Sequence, residues 1–487
     1  MKDLTGKNKT RREFLKKGLI ASSIVIVPRH VLGGPGFTAP SDQLNLAAIG
    51  SGGKGSTDII NASVKGRERV VALCDIDPSG KHGVLKTRQR FPKANFYTDF
   101  RQLLDQEKDL DAVTISTPDH THAVIAMAAM QRDLHLYVQK PLTHNIYEAR
   151  KLTETAREKK SVTQMGNQGA SNPAQLQVQQ WIASGQIGPV HTVKVWTNRP
   201  VWPQGIPFPK PDPENKPHDL DWDLWLGPAN TTPFSSLIHP FNWRGWWEYG
   251  TGALGDMGCH IIDVPFKALG LKYPKAVECS VGSVFKKMWT PEHLPEACPP
   301  SSSVTIHFDA TDINSTPLKM EWFDGGIRPA HPDLIPADDF LGETGSNNGV
   351  MMIGNDGIIT TGVYGNTPRL YRKGEKVVAY KQPENSEAEH GHQRKWVDAV
   401  KAGYDSTEHK ALTSSFDYSG PLTETVLMGN IAIRAYQLRK KSGRYFDYYG
   451  RKKLLWDGPL MKITNLEAAN QFLTRTYRQG WSLKTHV

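Results

Sequence analysis

From Leu44 onward two rhythms alternate along the chain. Short, nearly unbroken apolar runs occupy Leu44–Ile49, Glu68–Cys74, Asn95–Tyr97, Asp111–Ser116, Leu134–Val138 and Val162–Met165. Stretches of helical period separate them, clearest over His120–Arg132 and Asn145–Lys160. Continuous apolar runs suit parallel strands buried on both faces. Six of them joined by helical crossovers predict a complete doubly wound α/β domain over residues 44–166.

After Asn167 the pattern changes. A helix is expected over Gln175–Ser184, closed by Gly185, and an alternating strand over His191–Thr197. Further strands are expected at Ala276–Phe285, Ser303–Asp309 and Leu318–Phe323, and helices at His392–Ala402 and Leu422–Lys440. Residues 167–487 therefore read as an α+β domain with a mostly antiparallel open sheet. Between them Arg199–Trp247 is dense in Pro and Trp: seven of the thirteen tryptophans fall between Trp196 and Trp247. The stretch is too long for a simple connection. Its rings could stack on the apolar faces of sugars or pack on one another and on proline, and the sequence leaves both open.

The first apolar run enters Gly50-Ser51-Gly52-Gly53-Lys54-Gly55, and the second ends on Cys74 and Asp75. Strand, glycine turn, helix, strand and acid make up the Rossmann dinucleotide fingerprint in its proper context. Gly50 permits the tight turn, Gly52 a close approach of backbone to pyrophosphate, and Gly55 close packing of helix on strand. The helix N-terminus offers unpaired N–H groups to phosphate. Asp75, 25 residues beyond Gly50, suits the adenosine ribose hydroxyls and would repel a 2′-phosphate, so the expected cofactor is NAD rather than NADP.

Charge changes the picture at one end only. Of the net charge of +10, residues 1–30 carry +6 (eight Lys/Arg against two acids), leaving +4 elsewhere, which gives no argument for a nucleic-acid partner. That end carries Arg11 and Arg12 within Thr10–Lys16, then an apolar run from Gly18 to Val27 ended by Pro28. The run is too short for a stable membrane span and has the proportions of a signal region. Residues 1–33 are therefore expected to be a twin-arginine-type export signal, residues 34–43 an N-terminal arm, and the location periplasmic. Such export carries folded proteins, and outside the cytoplasm there is no pool of free NAD, so the cofactor is expected to be tightly bound. Of four cysteines, Cys279 and Cys298 are the pair open to a disulfide, which the sequence does not decide.

Two places could carry chemistry. Lys140 follows the fifth strand in Gln139-Lys140-Pro141, at the carboxyl edge of the sheet. An ammonium there can hydrogen-bond a substrate hydroxyl and favour its deprotonation as hydride leaves. Gly250–Asp263 is a glycine-rich entry into a helix that puts Asp256 and His260 on one face, with Asp263 three residues on. An acid beside a histidine can orient the ring and stabilise its protonated form; a capping Asp with a structural His is the alternative. No metal-type spacing is present, and no metal is expected.

These residues resemble the Gfo/Idh/MocA oxidoreductases, which include glucose–fructose oxidoreductase and inositol dehydrogenase. The carriers are Gly50–Gly55, Asp75, Ser116-Thr117-Pro118 with His122, Gln139-Lys140-Pro141, Asn167, and Asp256 with His260. The family usually has Glu-Lys-Pro where this chain has Gln139-Lys140-Pro141. The resemblance implies catalytic roles for Lys140 and His260, with Asp256 as partner of His260. It implies a cofactor site at Gly50, Gly52, Gly53, Lys54, Gly55, Asp75, Thr117, Pro118, His122, Gln139 and Lys140. Asn167, Gln168, Arg244 and Asp263 are weaker substrate contacts. Trp196–Pro200, Asp221–Gly227, Asn242–Trp247 and Ser415–Tyr418 look like a secreted bacterial subgroup. The implied activity is NAD-dependent oxidation of a secondary hydroxyl of a sugar, glycoside or cyclitol, by a homo-oligomer (dimer or tetramer). A redox-neutral glycosidase using the same site is the alternative: oxidation at C3, elimination, water addition, re-reduction. A non-catalytic protein holding NAD is a second.

Overall fold

The computed structural model describes residues 42–64, 66–78, 83–380 and 388–483. The expected export signal and most of the arm lie outside the described residues.

Strands β1 (Asn45–Ile49), β2 (Arg69–Cys74), β3 (Asn95–Tyr97), β4 (Ala112–Ile115), β5 (His135–Val138) and β6 (Thr163–Met165) form one six-stranded sheet in the order β3-β2-β1-β4-β5-β6. Every pairing is parallel. The runs are apolar because both faces are covered: β4 is buried along its whole length, and so is the helix His122–Met130. β1 pairs with both β2 and β4, so the order reverses at the carboxyl end of β1, where doubly wound sheets bind ligands.

The later strands are β7 (Val190–Trp196), β8 (Ala276–Val281), the ribbon β9–β10 (Phe285–Lys287, Thr290–Pro291), β11 (Ser302–Phe308), β12 (Leu318–Phe323), β13 (Gly349–Gly354), β14 (Gly357–Thr361), β15 (Arg369–Arg372), β16 (Val378–Ala379), the ribbon β17–β18 (Lys440–Ser442, Tyr445–Asp447), β19 (Leu454–Asp457) and β20 (Lys462–Ile463). Ten of them make a sheet ordered β16-β15-β14-β13-β7-β12-β11-β8-β19-β20. Only β7 and β12 run parallel. The class is thus α/β with a Rossmann domain and a mixed, mostly antiparallel second sheet. β11 alternates buried and half-buried positions, so this sheet has one covered face.

The helix Phe416–Ala435 packs on helix Ile146–Glu158 behind the first sheet, on helix Gly252–Ile261, and on β8 of the second sheet. It begins ahead of Pro421, whereas the sequence pattern placed its start at Leu422. One hydrogen bond lost at a proline is outweighed by a helix buried at almost every position. All four cysteines are free, Cys279 and Cys298 included.

Candidate active site

β1 ends at Ile49 and the chain turns at Gly50, whose φ is +75°. A Cβ there would stand 2.7 Å from the Ser116 carbonyl oxygen, and one on Gly55 only 1.8 Å from that of Gly50. The helix starts at Gly53 with no side chain capping it, which leaves its first amides to a ligand. At the end of β2, Asp75 accepts the amides of Gly52 (2.9 Å) and Asp77 (3.1 Å) and so braces the turn. Burial pushes its carboxyl upward while these backbone donors pull it down.

Above this turn lies a cavity of about 530 Å³, within the range of cofactor sites. Gly50, Gly52, Gly53, Lys54 and Asp75 line it together with Thr117, Pro118, Gln139 and Lys140. Gly55 does not reach it and acts through packing.

The Pro/Trp-rich segment roofs the cavity with Leu224, Trp225, Phe241, Trp243 and Arg244, and Trp481 joins from the C-terminal end. Its backbone is fastened to the Rossmann loops. The Asp221 amide donates to Ile76 O (3.1 Å), and His120 bridges the carbonyls of Trp225 (2.9 Å) and Tyr249 (3.2 Å). Trp222 stacks on Trp225 with centroids 4.4 Å apart. Mutual aromatic packing thus accounts for most of the tryptophans; of the seven, Trp225 and Trp243 line the cavity.

Lys140, joined to Pro141 by a cis peptide, donates to the Asp256 carboxylate at 2.8 Å and to its backbone carbonyl at 2.7 Å. Arg199 and Arg244 each place Nε 3.3 Å from the same carboxylate. Burial alone would raise the Asp256 carboxyl, but Lys140, Arg244 and Arg199 hold it well below the usual range. This corrects the expected Asp256–His260 pairing. The two share a helical face, yet among the described residues no hydrogen bond joins them, because three cations claim the carboxylate. His260 has its Nδ1 buried without a partner and meets Tyr364 edge-on at 4.9 Å. Burial, then the charge of Lys140, lowers its pKa well below the ordinary value, so the imidazole is neutral near pH 7.

Other expected site residues sit elsewhere. His122 is buried, with its ring nitrogens 2.8 Å from Pro141 O and from Thr117 O. It clamps two loops together and does not line the cavity, so its expected contact with cofactor is not what the structure shows. The helix breaks after Ile262. Asp263 opens the next one and accepts from Tyr418 Oη (2.6 Å) and Gln175 Nε2 (3.0 Å). Asn167 and Gln168 lie off the cavity; both side-chain polar atoms of Asn167 and Oε1 of Gln168 are buried without partners among the described residues.

Two residues escaped the sequence reading. Arg199 was visible only as part of Trp196–Pro200. Asp58, four residues after Lys54, reads as half of a surface pair, yet it is fully buried. It accepts from Gln139 Nε2 (2.8 Å), Ser116 Oγ (2.9 Å) and Gln393 Nε2 (2.9 Å). A glutamate at 139 would set a second carboxylate against it, whereas the amide donates to it.

The fold and this cleft define a nucleotide-binding Rossmann protein whose lysine faces the cofactor cavity. Residues 44–167 match the Gfo/Idh/MocA oxidoreductase family's NAD-binding Rossmann fold, and residues 172–283 match its C-terminal alpha/beta domain. The chain thus matches two consecutive domains of that family, the first of them its NAD-binding Rossmann fold. It is 27% identical over 205 residues to levoglucosan dehydrogenase of Pseudarthrobacter phenanthrenivorans, covering 42% of each chain. It is 31% identical over 179 residues to a glycosyl hydrolase family 109 protein of Shewanella pealeana, covering 32% of this chain and 39% of the relative. With inositol 2-dehydrogenase of Rubrobacter xylanophilus it shares 26% over 189 residues, covering 38% of this chain and 53% of that one. The chain thus spans about half or less of the length of these relatives. An inositol dehydrogenase homolog from Azotobacter vinelandii, solved with NAD+, superposes with a TM-score of 0.56 at 18% identity, covering 80% of this chain and 95% of that one. Levoglucosan dehydrogenase with NADH and L-sorbose gives 0.55 at 17% identity, covering 80% and 96%. At such identities the likeness concerns the fold.

Proposed function

We propose that this protein is an NAD-dependent oxidoreductase acting on a secondary hydroxyl of a sugar, glycoside or cyclitol. One observation carries the reading: an ammonium, Lys140, fixed by Asp256 at 2.8 Å, lines the same cavity as a dinucleotide turn. The cavity volume, the Gly50 and Gly55 contacts and the uncapped Gly53 helix fit NAD. NAD held by the Gly50–Gly55 turn and Asp75 would supply the hydride acceptor for the substrate carbon. Lys140 holds the hydroxyl oxygen and stabilises its developing negative charge. His260 lies outside the cavity wall but close enough to feel the charge of Lys140, and we assign it as proton acceptor; burial makes it a weak base, so the transfer depends on the acidity that Lys140 confers on the hydroxyl. Asp256 acts through Lys140 as a positioning residue. Lys140→Met should cut kcat by about 10²–10⁴-fold while nucleotide binding persists; unchanged turnover would remove the assignment.

The roof over the cavity and the twin-arginine-type segment support NAD that is loaded before export, stays bound and is regenerated within each cycle. Protein taken from the periplasm should then carry nucleotide without addition. A second reading, a redox-neutral glycosidase, is favoured by the kinship with family 109 proteins. Turnover in heavy water separates the two: net hydrolysis leaves deuterium at C2 of the sugar, and simple oxidation does not.

A further inference from the structure

We infer that the substrate carries an anionic group, a carboxylate or a sulfate ester, seated between Arg199 and Arg244 beside Lys140. This rests on the oxidoreductase reading and adds the charge of its substrate. Three cations meet one carboxylate: Lys140 at 2.8 Å, Arg199 and Arg244 at 3.3 Å each from Asp256. Fixing Lys140 needs one anion and leaves two positive charges over. Of the other carboxylates lining the cavity, Asp75 with its neighbour Asp77 belongs to the glycine turn and Asp99 pairs with Arg101; the one that feels Lys140 and Arg244 among the described residues is Asp119, which is buried and takes the Thr251 hydroxyl at 2.6 Å. Counting it as ionised still leaves one cation in excess. The charge of Lys54 is met by Asp58 at 3.6 Å.

The excess is only partly open to water, with side-chain exposures of 15% at Lys140, 27% at Arg199 and 22% at Arg244. Unbalanced charge in such a cleft is costly unless an anion completes it. The guanidinium of Arg244 lies over Trp243 at 4.1 Å and over Phe241 at 4.5 Å, so its plane is fixed. Nε faces Asp256 and Nη1 donates to Phe241 O at 3.0 Å. Arg199 likewise uses Nε on Asp256 and Nη1 on Asn198 Oδ1 (2.6 Å). Among the described residues neither Nη2 has an acceptor. Two held guanidinium edges with an unused N–H group suit an oxyanion far better than a neutral hydroxyl.

The test uses nucleotide-loaded enzyme with three matched sets: neutral glycosides, their uronic acids and their sulfate esters. Reduction of bound NAD is followed by absorbance, and affinity by calorimetry. One of the two anionic sets should exceed the neutral set at least 10-fold in kcat/KM, and which one does identifies the group. Arg199→Gln should raise KM for that set about 10- to 100-fold with little change in kcat, and Arg199→Lys should recover part of the loss. Equal affinity for anionic and neutral sugars overturns the inference, whether or not they are oxidised. Tighter binding of the anionic sugar without any NAD reduction overturns the oxidoreductase reading and upholds the anionic site.

Discussion

Gln139 shows what one side chain can report. As a sequence feature it departs from Glu-Lys-Pro and removes a carboxylate beside the lysine. In the fold its amide donates to buried Asp58 at 2.8 Å, a contact that suits an amide. Gln139→Glu should destabilise the protein by about 3 kcal/mol at neutral pH, because two carboxylates would share a buried site. The introduced acid would hold its proton more tightly folded than unfolded. The deficit should therefore be absent in acid, below the ordinary glutamate pKa, and grow as pH rises through that value. Denaturant titrations of both proteins at pH 4 and pH 8 check this; an equal deficit at both would contradict it. Lys140 and the glycines were legible because strand, turn and edge fix them locally. The pairing of Asp256 was not. Helical spacing offered His260, and only the fold brings Lys140, Arg199 and Arg244 to the same carboxylate from separate segments.

Among the elements, the glycine turn is the least tolerant. Gly55→Ala would force a methyl to within 1.8 Å of the Gly50 carbonyl oxygen, so the helix Gly53–Ser63 must move off β1. Nucleotide affinity should fall at least 100-fold, and melting should drop by several degrees; a variant that still co-purifies with nucleotide would contradict the packing argument. The six parallel strands were readable to within a residue or two, since burial on both faces writes a continuous apolar run. β13, β14 and β15 were not read. β13 and β14 are short, nearly all buried and flanked by glycine, and at that length an apolar run does not identify its own structure. The Arg199–Trp247 segment was recognised as more than a linker, but its role as a roof depends on backbone bonds to Ile76 and to His120 from far along the chain.

The whole molecule stores an acid sensitivity in its buried histidines. Burial depresses His120 and His392 to about 3, against a weaker opposing pull from the carbonyls they touch. Each is neutral when folded and titrates near 6.5 when unfolded, so its contribution is complete above pH 6.5 and is lost progressively as pH falls toward 3. Full loss amounts to roughly 5 kcal/mol per histidine. Melting temperature should therefore fall steeply between pH 6.5 and pH 4, and His392→Gln should flatten part of that slope; a flat profile would refute it. By itself the sequence determined the doubly wound sheet, the dinucleotide turn and the lysine at its edge, because each follows from contacts between neighbours in the chain or from burial written as periodicity. The tertiary structure alone decided which anion holds Lys140, that the Gln139 amide meets buried Asp58, and that an aromatic segment covers the cavity. Those outcomes are set by charges and packing between residues distant in sequence, which no local pattern encodes.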